Sequence, residues 1–370
     1  MNIFISESST AVGGQELAVL LHAEGLVKRG HDLRLILEPG SPIAGMAEAK
    51  RLPVTLMSMR RSRYPKAILE LRGLLRRHRP AILQVNSSRD SWIGSIAARL
   101  VRPRPGIIRI RHISTPLNRN FTTQVLYHRL LDMVVVTGGE RTRRGLIERD
   151  GLAAERVAAF PIGLDVEYFR PAPAERDLRL ELGLPKGQLL VGLISYLRTY
   201  KGHEYFIEAA GRIAGKREDV TFVIVGEGPE EGTIRRLIER SGLTARIRML
   251  GFRPDLLNVF RSLDVFVIPS VEGDTIPQVL MQALAMGIPV VSTTVGSIPD
   301  VVIEGETGYV VPPRDGIALA DRILPLLDDA GLRARLGANG RALVERSYSI
   351  DKMLDRMEEV YQRLARMRQT

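Results

Sequence analysis

A buried strand, a loop with acidic and glycine residues, and a helix that begins at a proline follow one another around residue 270. Val265–Ile268 is an uninterrupted apolar run, and Glu272, Gly273 and Asp274 follow it closely. Pro277 stands where the helix would begin, because proline pre-sets the first helical turn and lacks only an N–H that this turn leaves unpaired anyway. The order of these elements predicts free backbone amides at the start of the helix.

The elements after this loop complete a strand–helix–strand unit. The predicted helix spans 278–286 and ends at Gly287, and an apolar strand follows over 288–292. In such a unit the ligand-facing loop lies at the carboxyl end of the first strand, and a helix N-terminus attracts anions with its free N–H groups. The residues predicted to bind a phosphate or a sugar hydroxyl are Asp274, Thr275, Ile276, Pro277 and Gln278.

Short apolar strands and helical periods alternate along all 370 residues. This alternation predicts an α/β protein with two doubly wound, Rossmann-like parallel sheets, because the chain is too long for one ordinary core. A second series of strands starts after the stretch 170–176, which is rich in proline and charge. We therefore expect an N-terminal domain over residues 1–168 and a C-terminal domain over 169–348. Residues 349–370 are predicted to form a helix that packs back on the first domain.

The composition excludes several mechanisms. The chain has no cysteine, so disulfides, a thiolate nucleophile and a zinc site with cysteine ligands are all ruled out. The first residues enter a strand without a basic and apolar leader segment. No run approaches the roughly 18 to 20 apolar residues that a membrane span needs. We expect a cytoplasmic protein.

The formal net charge of +11 is concentrated in the first half of the chain. Residues 1–165 contain 26 Lys and Arg against 14 Asp and Glu, whereas the remainder contains 27 against 28. This asymmetry predicts an anionic partner of the N-terminal domain, such as the inner membrane surface, a phosphorylated lipid or nucleic acid. Nucleic acid is the least favoured, because no nucleic-acid motif is present and only Tyr64 and Trp92 interleave the arginine clusters. A solvated basic face without a partner is the alternative.

Two cations follow the first strand of the second series, 190–194. Arg198 and Lys201 are three residues apart, and Gly202 and a helix come next. Cations at the carboxyl end of a strand suit a diphosphate whose charge must be neutralised as it leaves. Solvation of both side chains at the surface is the alternative interpretation.

Two further loops of the second series are predicted to reach the same edge of the sheet. Gly226 follows one strand, and Gly251, Phe252 and Arg253 follow the next. Ordinary connection geometry explains each glycine alone, but the convergence of several loops favours a nucleotide.

The first series carries weaker signals. Gly13 and Gly14 lie between the first strand and the first helix, where their amides could approach a diphosphate or a sugar, although a tight turn explains them equally well. His112 ends a strand and would face an interdomain cleft, but a lone histidine is more often structural. No Asp-x-Asp pair occurs, so we predict no divalent metal site.

Taken together, these fragments resemble the retaining glycosyltransferases of family 4, which have the GT-B fold of two Rossmann-like domains facing a central cleft. The resemblance extends over nearly the whole chain, and the fragments occur in the order that the family shows. The matching fragments are Gly13-Gly14 with Glu16, Arg29-Gly30-His31, His112, Pro161 to Asp165 with Phe169-Arg170-Pro171, Lys201-Gly202, Val225 to Pro229, Gly251-Phe252, Pro269 to Ser292 and Glu304 to Gly308.

The resemblance implies a role for each matching residue. Lys201 would hold the donor diphosphate, and the loop 274–278 would bind the transferred sugar and the β-phosphate. His112 would contact the sugar near the reacting carbon, and Gly251 and Phe252 would present backbone to the base. The implied reaction transfers a sugar from a UDP-sugar or GDP-sugar, without metal or cofactor. The basic first half of the chain and its segment from Tyr64 to Arg79 motivate the hypothesis that the acceptor is a lipid-linked or lipopolysaccharide-type glycan at the inner membrane face. The donor's own phosphate can take the acceptor proton, so no glutamate nucleophile is required.

The sequence departs from the family pattern at two places. The Glu-x7-Glu motif would place glutamates at 274 and 282, where this chain has Asp274 and Gln282. Both can still accept hydrogen bonds from sugar or ribose hydroxyls, at an expected cost of about 1–2 kcal/mol in donor binding. The phosphate-binding arginine of the family would stand at Tyr196, so Arg198 would have to reach the same oxygens. A sugar-nucleotide epimerase and a non-catalytic nucleotide-sugar-binding protein remain as alternatives.

Overall fold

The computed structural model of the protein describes residues 1–11, 13–160 and 162–367. The chain divides into two compact units: unit 1 contains residues 1–163 and the segment that starts at Ile350, and unit 2 contains Leu164–Ser349. The division lies after Gly163 because Leu164 is buried in the core of unit 2, where its N–H donates to the carbonyl oxygen of Tyr348 at 2.9 Å.

Unit 1 is built on seven parallel strands. They are β1 (Asn2–Glu7), β2 (Asp32–Leu37), β3 (Val54–Leu56), β4 (Ile82–Val85), β5 (Gly106–Arg111), β6 (Met133–Val136) and β7 (Val157–Ala159). Their order in the sheet is β3-β2-β1-β4-β5-β6-β7. Because β1 and β4 are neighbours without being consecutive in the chain, the winding direction reverses between them, and such sheets bind ligands beyond the carboxyl ends of strands at that reversal.

Helices cover this sheet because its strands are buried on both faces. All four residues of β4 and of β6 are buried, as the near-continuous apolar runs of a parallel sheet require. The helices are α1 (Gly14–Lys28), α2 (Pro42–Ala49), α3 (Tyr64–His78), α4 (Ser88–Arg99), α5 (Phe121–Val125) and α6 (Glu140–Glu148). Helix α1 begins where Glu16 accepts the N–H of Gly13 at 2.8 Å, which satisfies one of the amides that a helix start leaves unpaired.

Unit 2 repeats the design with six parallel strands. They are β8 (Leu189–Ile194), β9 (Val220–Val225), β10 (Ile247–Gly251), β11 (Val265–Ile268), β12 (Val290–Thr293) and β13 (Gly308–Val311), in the order β10-β9-β8-β11-β12-β13. The helices are α7 (Leu178–Glu181), α8 (His203–Ala214), α9 (Glu231–Arg240), α10 (Leu256–Ser262), α11 (Gln278–Ala285), α12 (Gly316–Asp328) and α13 (Ala330–Ser347). The reversal of winding lies between β8 and β11. The two sheets confirm the predicted α/β class with two Rossmann-like halves.

The last helix, α14 (Ile350–Arg366), belongs to unit 1 and packs beside α1. Its apolar face enters the core, and a Cβ placed on Gly25 of α1 would come within 2.6 Å of Leu354. Tyr361 is fully buried and donates its hydroxyl hydrogen to the side-chain oxygen of Gln84. Arg29 extends from α1 to three carboxylates of α14. In the part of the chain that is described, no helix is long and apolar enough to cross a bilayer.

Candidate functional site

The reversal point of the unit 2 sheet brings together two residues that the sequence singled out separately. The loop after β8 carries Lys201, and the loop after β11 carries Asp274. The Lys201 ammonium donates to both carboxylate oxygens of Asp274, at 2.7 and 2.8 Å. Both side chains are nearly buried, with 12% and 13% of their surfaces exposed. Ser270 also donates its hydroxyl hydrogen to Asp274. The residue predicted to bind the diphosphate, Lys201, and the residue predicted to bind the sugar, Asp274, are therefore in direct contact.

Backbone contacts hold these two loops against each other. Gly202 lies at φ 71°, and a Cβ at this position would come within 2.0 Å of the carbonyl oxygen of Pro269. The N–H of Val271 donates to the carbonyl oxygen of Tyr200 at 2.8 Å. A side chain at 202 would force the loops apart, so glycine is required there for both its positive φ and its small volume.

The start of α11 carries unpaired backbone amides, as the proline predicted. Pro277 is the residue before the first helical turn, with φ −61° and ψ 134°. The N–H groups of Thr275, Ile276 and Gln278 donate to no acceptor among the described residues. One turn further along α11, the buried side-chain oxygen of Gln282 also has no partner within the described part of the chain. The three N–H groups can donate to phosphate oxygens, and the side-chain oxygen of Gln282 can accept from a hydroxyl.

The glycine loops after β9 and β10 meet at the same edge of the sheet. The N–H of Gly226 donates to the carbonyl oxygen of Gly251 at 2.8 Å. A Cβ on Gly226 would lie 1.9 Å from the carbonyl oxygen of Ser195, in the loop that leads to Lys201. Phe252 is 67% exposed beside them. The predicted convergence of loops is therefore present in unit 2.

The two arginines predicted near the nucleotide differ in their surroundings. Arg198 is exposed, and its guanidinium lies 5.1 Å from the centre of the Tyr196 ring. Arg253 is held by Glu181 and Asp255, and these hydrogen bonds raise its pKa above its usual range. Because its guanidinium pairs with both carboxylates, Arg253 links the end of α7 to the residue before α10. Its role at a nucleotide stays a prediction.

The site residues predicted in the first half lie in unit 1. Gly13 caps α1 through Glu16, and Gly14 begins that helix. The Nδ1 atom of His112 lies 3.1 Å from the hydroxyl oxygen of Thr137, and burial lowers the pKa of His112 to about 4. That hydroxyl donates to the carbonyl oxygen of residue 111, so it can accept from Nδ1–H. Nε2 of His112 is then an unprotonated acceptor, and it has no partner among the described residues.

The reversal point of the unit 1 sheet holds a buried acidic network that the sequence analysis missed. Gln15 and Ser87 donate to Glu7, and Ser8 donates to Asp90 at 3.0 Å. Burial, together with the charge of Glu7, raises the pKa of Asp90 to about 8. The only available signal was polar residues at the ends of β1 and β4. Within the described residues, no group of three or more His, Asp or Glu is arranged to hold a metal ion.

Two family models match the chain. The model described as Glycosyltransferase Family 4 matches residues 12–168, and the model described as Glycosyl transferases group 1 matches residues 175–343. Together they cover most of both units.

Several curated proteins are similar to the chain. It is 26% identical to the D-inositol 3-phosphate glycosyltransferase of Corynebacterium glutamicum over 91% of this chain and 85% of that protein. It is 34% identical to a GDP-mannose-dependent monoacylated alpha-(1-6)-phosphatidylinositol monomannoside mannosyltransferase of the same species, over 55% of each chain. It is 28% identical to the lipopolysaccharide core biosynthesis mannosyltransferase LpsB of Rhizobium meliloti, over 55% of this chain and 60% of that protein. The chain thus spans little more than half of the last two relatives.

Solved structures resemble the whole chain. A glycosyltransferase of Rickettsia africae superposes with a TM-score of 0.87 at 18% identity, covering 98% of both chains. HepE of Anabaena in complex with UDP superposes with a TM-score of 0.86 at 22% identity, covering 98% of this chain and all of that one. At these identities the likeness shows the fold alone, which is the GT-B fold.

Proposed function

The chain belongs to glycosyltransferase family 4, and on that basis we propose that it transfers a sugar, with retention of anomeric configuration, from a UDP-sugar or GDP-sugar to a glycan acceptor. The observation that carries the proposal is the pairing of Lys201 with Asp274 beside the unpaired amides of α11. The Lys201 ammonium can neutralise a diphosphate, and the Asp274 carboxylate can accept hydrogen bonds from sugar hydroxyls. A site for a nucleotide-sugar donor requires both interactions.

Donor binding exchanges the partners of this ion pair. A diphosphate at the start of α11 competes with Asp274 for the Lys201 ammonium, because its charge is larger and the N–H groups of Thr275, Ile276 and Gln278 bind it at the same time. The carboxylate of Asp274 then accepts from hydroxyls of the sugar. Binding of the intact donor thus keeps both charges satisfied, as nearly buried charges require.

The chemical step follows from the same arrangement. As the bond between the anomeric carbon and the diphosphate breaks, negative charge grows on the phosphate oxygens that Lys201 and the amides contact, so the transition state is stabilised more than the ground state. The departing phosphate takes the proton of the acceptor hydroxyl, and the new bond forms on the same face of the sugar. The family resemblance assigns His112, whose unprotonated Nε2 can accept a hydrogen bond, to the transferred sugar. No metal takes part in this proposal.

The acceptor in this proposal is a lipid-linked or lipopolysaccharide-type glycan. Relatives named for a phosphatidylinositol mannoside and for the lipopolysaccharide core support this class. Helix α3 supports an anionic membrane surface as a partner, because it exposes Leu69, Arg76 and Arg77 on its solvent side. Salt-sensitive co-sedimentation with vesicles containing phosphatidylglycerol, weakened in the double variant Arg76→Gln and Arg77→Gln, is the expected result. Equal binding by neutral vesicles would contradict it.

Donor binding is tested by thermal shift with UDP, GDP, ADP and their sugars, since a ligand of the folded state raises its melting temperature. We expect one nucleotide to raise the melting temperature of the wild type and of Lys216→Ala, which removes an exposed lysine from unit 2. Lys201→Ala should remove the shift. If no nucleotide stabilises the protein, the proposal is wrong.

The reaction itself is tested by its product. NMR of the glycoside formed from the stabilising donor should show the anomeric configuration of that donor, and transfer should persist in excess chelator. An inverted linkage, or isomerisation of the donor without an acceptor, would contradict the proposed reaction. Isomerisation would instead indicate an epimerase.

A further inference from the structure

Unit 1 contains a polar cavity of about 400 Å³ beyond the carboxyl ends of β4 and β5. Residues from both strand ends and from the segment around α5 line it. They include Arg109, Arg111, His112 and Tyr127. The size of the cavity suits a sugar-sized ligand rather than a single ion.

Arg109 and Arg111 point to the chemistry of that ligand. They are two residues apart on β5, so their side chains leave the strand on the same face. Their guanidinium carbons lie 5.0 and 5.8 Å from the centre of the Tyr127 ring. Arg111 is only 6% exposed, and burial lowers its pKa. Two positive charges thus lie close to one aromatic ring inside unit 1.

Neither guanidinium is in direct contact with a carboxylate of the described residues. No carboxylate oxygen lies within 4.0 Å of either one among the described residues, and the one hydrogen bond of Arg111 goes to the carbonyl oxygen of Thr115 at 2.8 Å. The buried Nε of Arg109 has no partner in the same part of the chain. Stacking on Tyr127 offsets only part of the cost of burying two cations. An anion in the cavity would supply what the protein does not.

The nearby acids do not fill this role. Asp150 is already paired with Arg149 at 2.9 Å and accepts the N–H of Leu117. Asp90 is buried in its own hydrogen bonds, and its raised pKa of about 8 leaves it largely uncharged at neutral pH. By contrast, other arginines of unit 1, such as Arg104 with Asp132, are paired directly. Arg89, Arg99 and Arg156 also have no carboxylate partner among the described residues, but backbone carbonyl oxygens accept from them, whereas no acceptor is found for the guanidinium of Arg109 in the same part of the chain.

We propose that this cavity binds a phosphate group of the acceptor through Arg109 and Arg111. A phosphate suits two guanidiniums better than a carboxylate does, because it carries up to two charges and three oxygens that accept bidentate bonds. The phosphate would lie next to His112, which lines the same cavity and is the residue proposed to contact the transferred sugar. This inference rests on the proposed function, since it assigns the cavity to the acceptor of that reaction.

Calorimetric titration with inorganic phosphate tests the inference on the full chain, with the stabilising nucleoside diphosphate present at saturation so that the proposed donor site is already occupied. We expect the wild type to bind phosphate with a dissociation constant below about 10 mM. The double variant Arg109→Gln and Arg111→Gln should bind it at least about tenfold more weakly. The double variant Arg109→Lys and Arg111→Lys should keep part of the affinity, because it keeps both charges. Arg366→Gln, which removes an exposed arginine of α14, should bind like wild type. Each variant is compared only if its melting temperature shows that it is folded.

The donor site provides the control that separates the two proposals. The double glutamine variant should keep its thermal shift with UDP or GDP, and Lys201→Ala should keep its phosphate binding. Phosphate binding that survives loss of both arginines, or that disappears in Lys201→Ala, would overturn the inference. A nucleotide shift that survives Lys201→Ala would instead contradict the donor site.

Two probes distinguish the source of the phosphate. A soluble hexose phosphate that binds at least about tenfold tighter than the hexose, through both arginines, indicates a soluble acceptor. Arginine-dependent binding confined to vesicles that contain a long-chain prenyl phosphate indicates a lipid-linked one. If neither probe depends on Arg109 and Arg111, the inference is wrong.

Discussion

The two units use the same sheet topology but balance charge differently at their ligand-facing edges. In unit 2 the cation of the predicted donor site, Lys201, is neutralised by Asp274 across two loops. In unit 1 Arg109 and Arg111 converge on Tyr127 with no carboxylate in contact among the described residues. A paired cation must exchange its partner when an anion binds, whereas an unpaired one gains a partner.

This difference relates to what each unit is proposed to bind. A nucleotide-sugar brings a diphosphate for Lys201 and hydroxyls for Asp274, so the ion pair is replaced by two new interactions. A phosphate on an acceptor brings only negative charge, and it fits a cavity that holds only positive charge. The fold supplies the position of each site, while individual side chains supply its selectivity.

The largest expected effect is that of Lys201→Ala. We predict a loss of about 3 kcal/mol in transition-state stabilisation, or roughly a hundredfold in kcat/KM, because a charged hydrogen bond to the leaving group is removed. Steady-state kinetics with Lys216→Ala as the matched control measures this loss. A fall of less than about threefold would break the contrast between the units.

Gly202→Ala should separate the loops that hold the ion pair. The new Cβ would lie 2.0 Å from the carbonyl oxygen of Pro269 at a φ of 71°, so we expect unit 2 to lose about 2–3 kcal/mol of stability. Gly305→Ala has a similar φ of 72° but nothing within 4 Å, and should cost about 1 kcal/mol. Denaturant unfolding of both variants gives the comparison, and equal losses would show that the close contact is unimportant.

The pH dependence of stability should reveal the acidic network of unit 1. The folded pKa of Asp90 is raised to about 8 from 3.8, so the folded state binds more protons than the unfolded state, and stability falls as pH rises toward 8. Burial lowers the pKa values of His22, His112 and His203, so their contribution to stability rises with pH, but only below their unfolded pKa of 6.5. The window from 6.5 to 8 therefore reports on the acidic network of Asp90 and Glu7, whose pKa burial also raises, and Asp90 contributes a slope of up to about 1.4 kcal/mol per pH unit.

Asp90→Asn should flatten that slope, because an amide of the same shape does not titrate. The exposed Asp32→Asn serves as its control and should keep the slope of the wild type. Melting temperatures measured at several values of pH between 6.5 and 8 give the result. A slope that is unchanged in Asp90→Asn would mean that the carboxyl is ionised in the folded protein.

The smallest expected effect is that of Asp274→Asn, which should change nucleotide binding and sugar transfer in opposite directions. Asp274→Asn removes the competitor for Lys201, so UDP or GDP without a sugar should bind about 1 kcal/mol more tightly. The same variant should transfer sugar more slowly, because a neutral amide is a weaker acceptor for sugar hydroxyls. Calorimetry and kinetics on one preparation measure both. Weaker binding of the nucleotide alone would contradict the exchange of partners.

Local patterns in the sequence were sufficient to predict much of the fold. Strand β11 has the predicted bounds, and the predicted strands 190–194 and 288–292 correspond to β8 and β12 within two residues at each end, because buried parallel strands are short apolar runs between turn residues. Helices α12 and α13 were missed, since no strand or motif near them drew attention to the segment after β13. The sequence around Pro277 also predicted the start of α11 and its unpaired backbone amides.

Contacts between distant residues were beyond the sequence. Lys201 and Asp274 are 73 residues apart, and nothing local shows that they pair. Arg253 was predicted near the nucleotide, but its pairing with Glu181 depends on the position of α7. The sequence predicted no role for Arg109 and Arg111, because the absence of a counterion is visible only when the surrounding elements are in place.

The most direct test is a crystal structure of the protein with the nucleoside diphosphate that stabilises it. The β-phosphate should lie within hydrogen-bonding distance of the Lys201 ammonium and of the backbone N–H groups at Thr275, Ile276 and Gln278, with the bond between Lys201 and Asp274 weakened or broken. Phosphates bound elsewhere, with that ion pair intact, would contradict the proposed donor site.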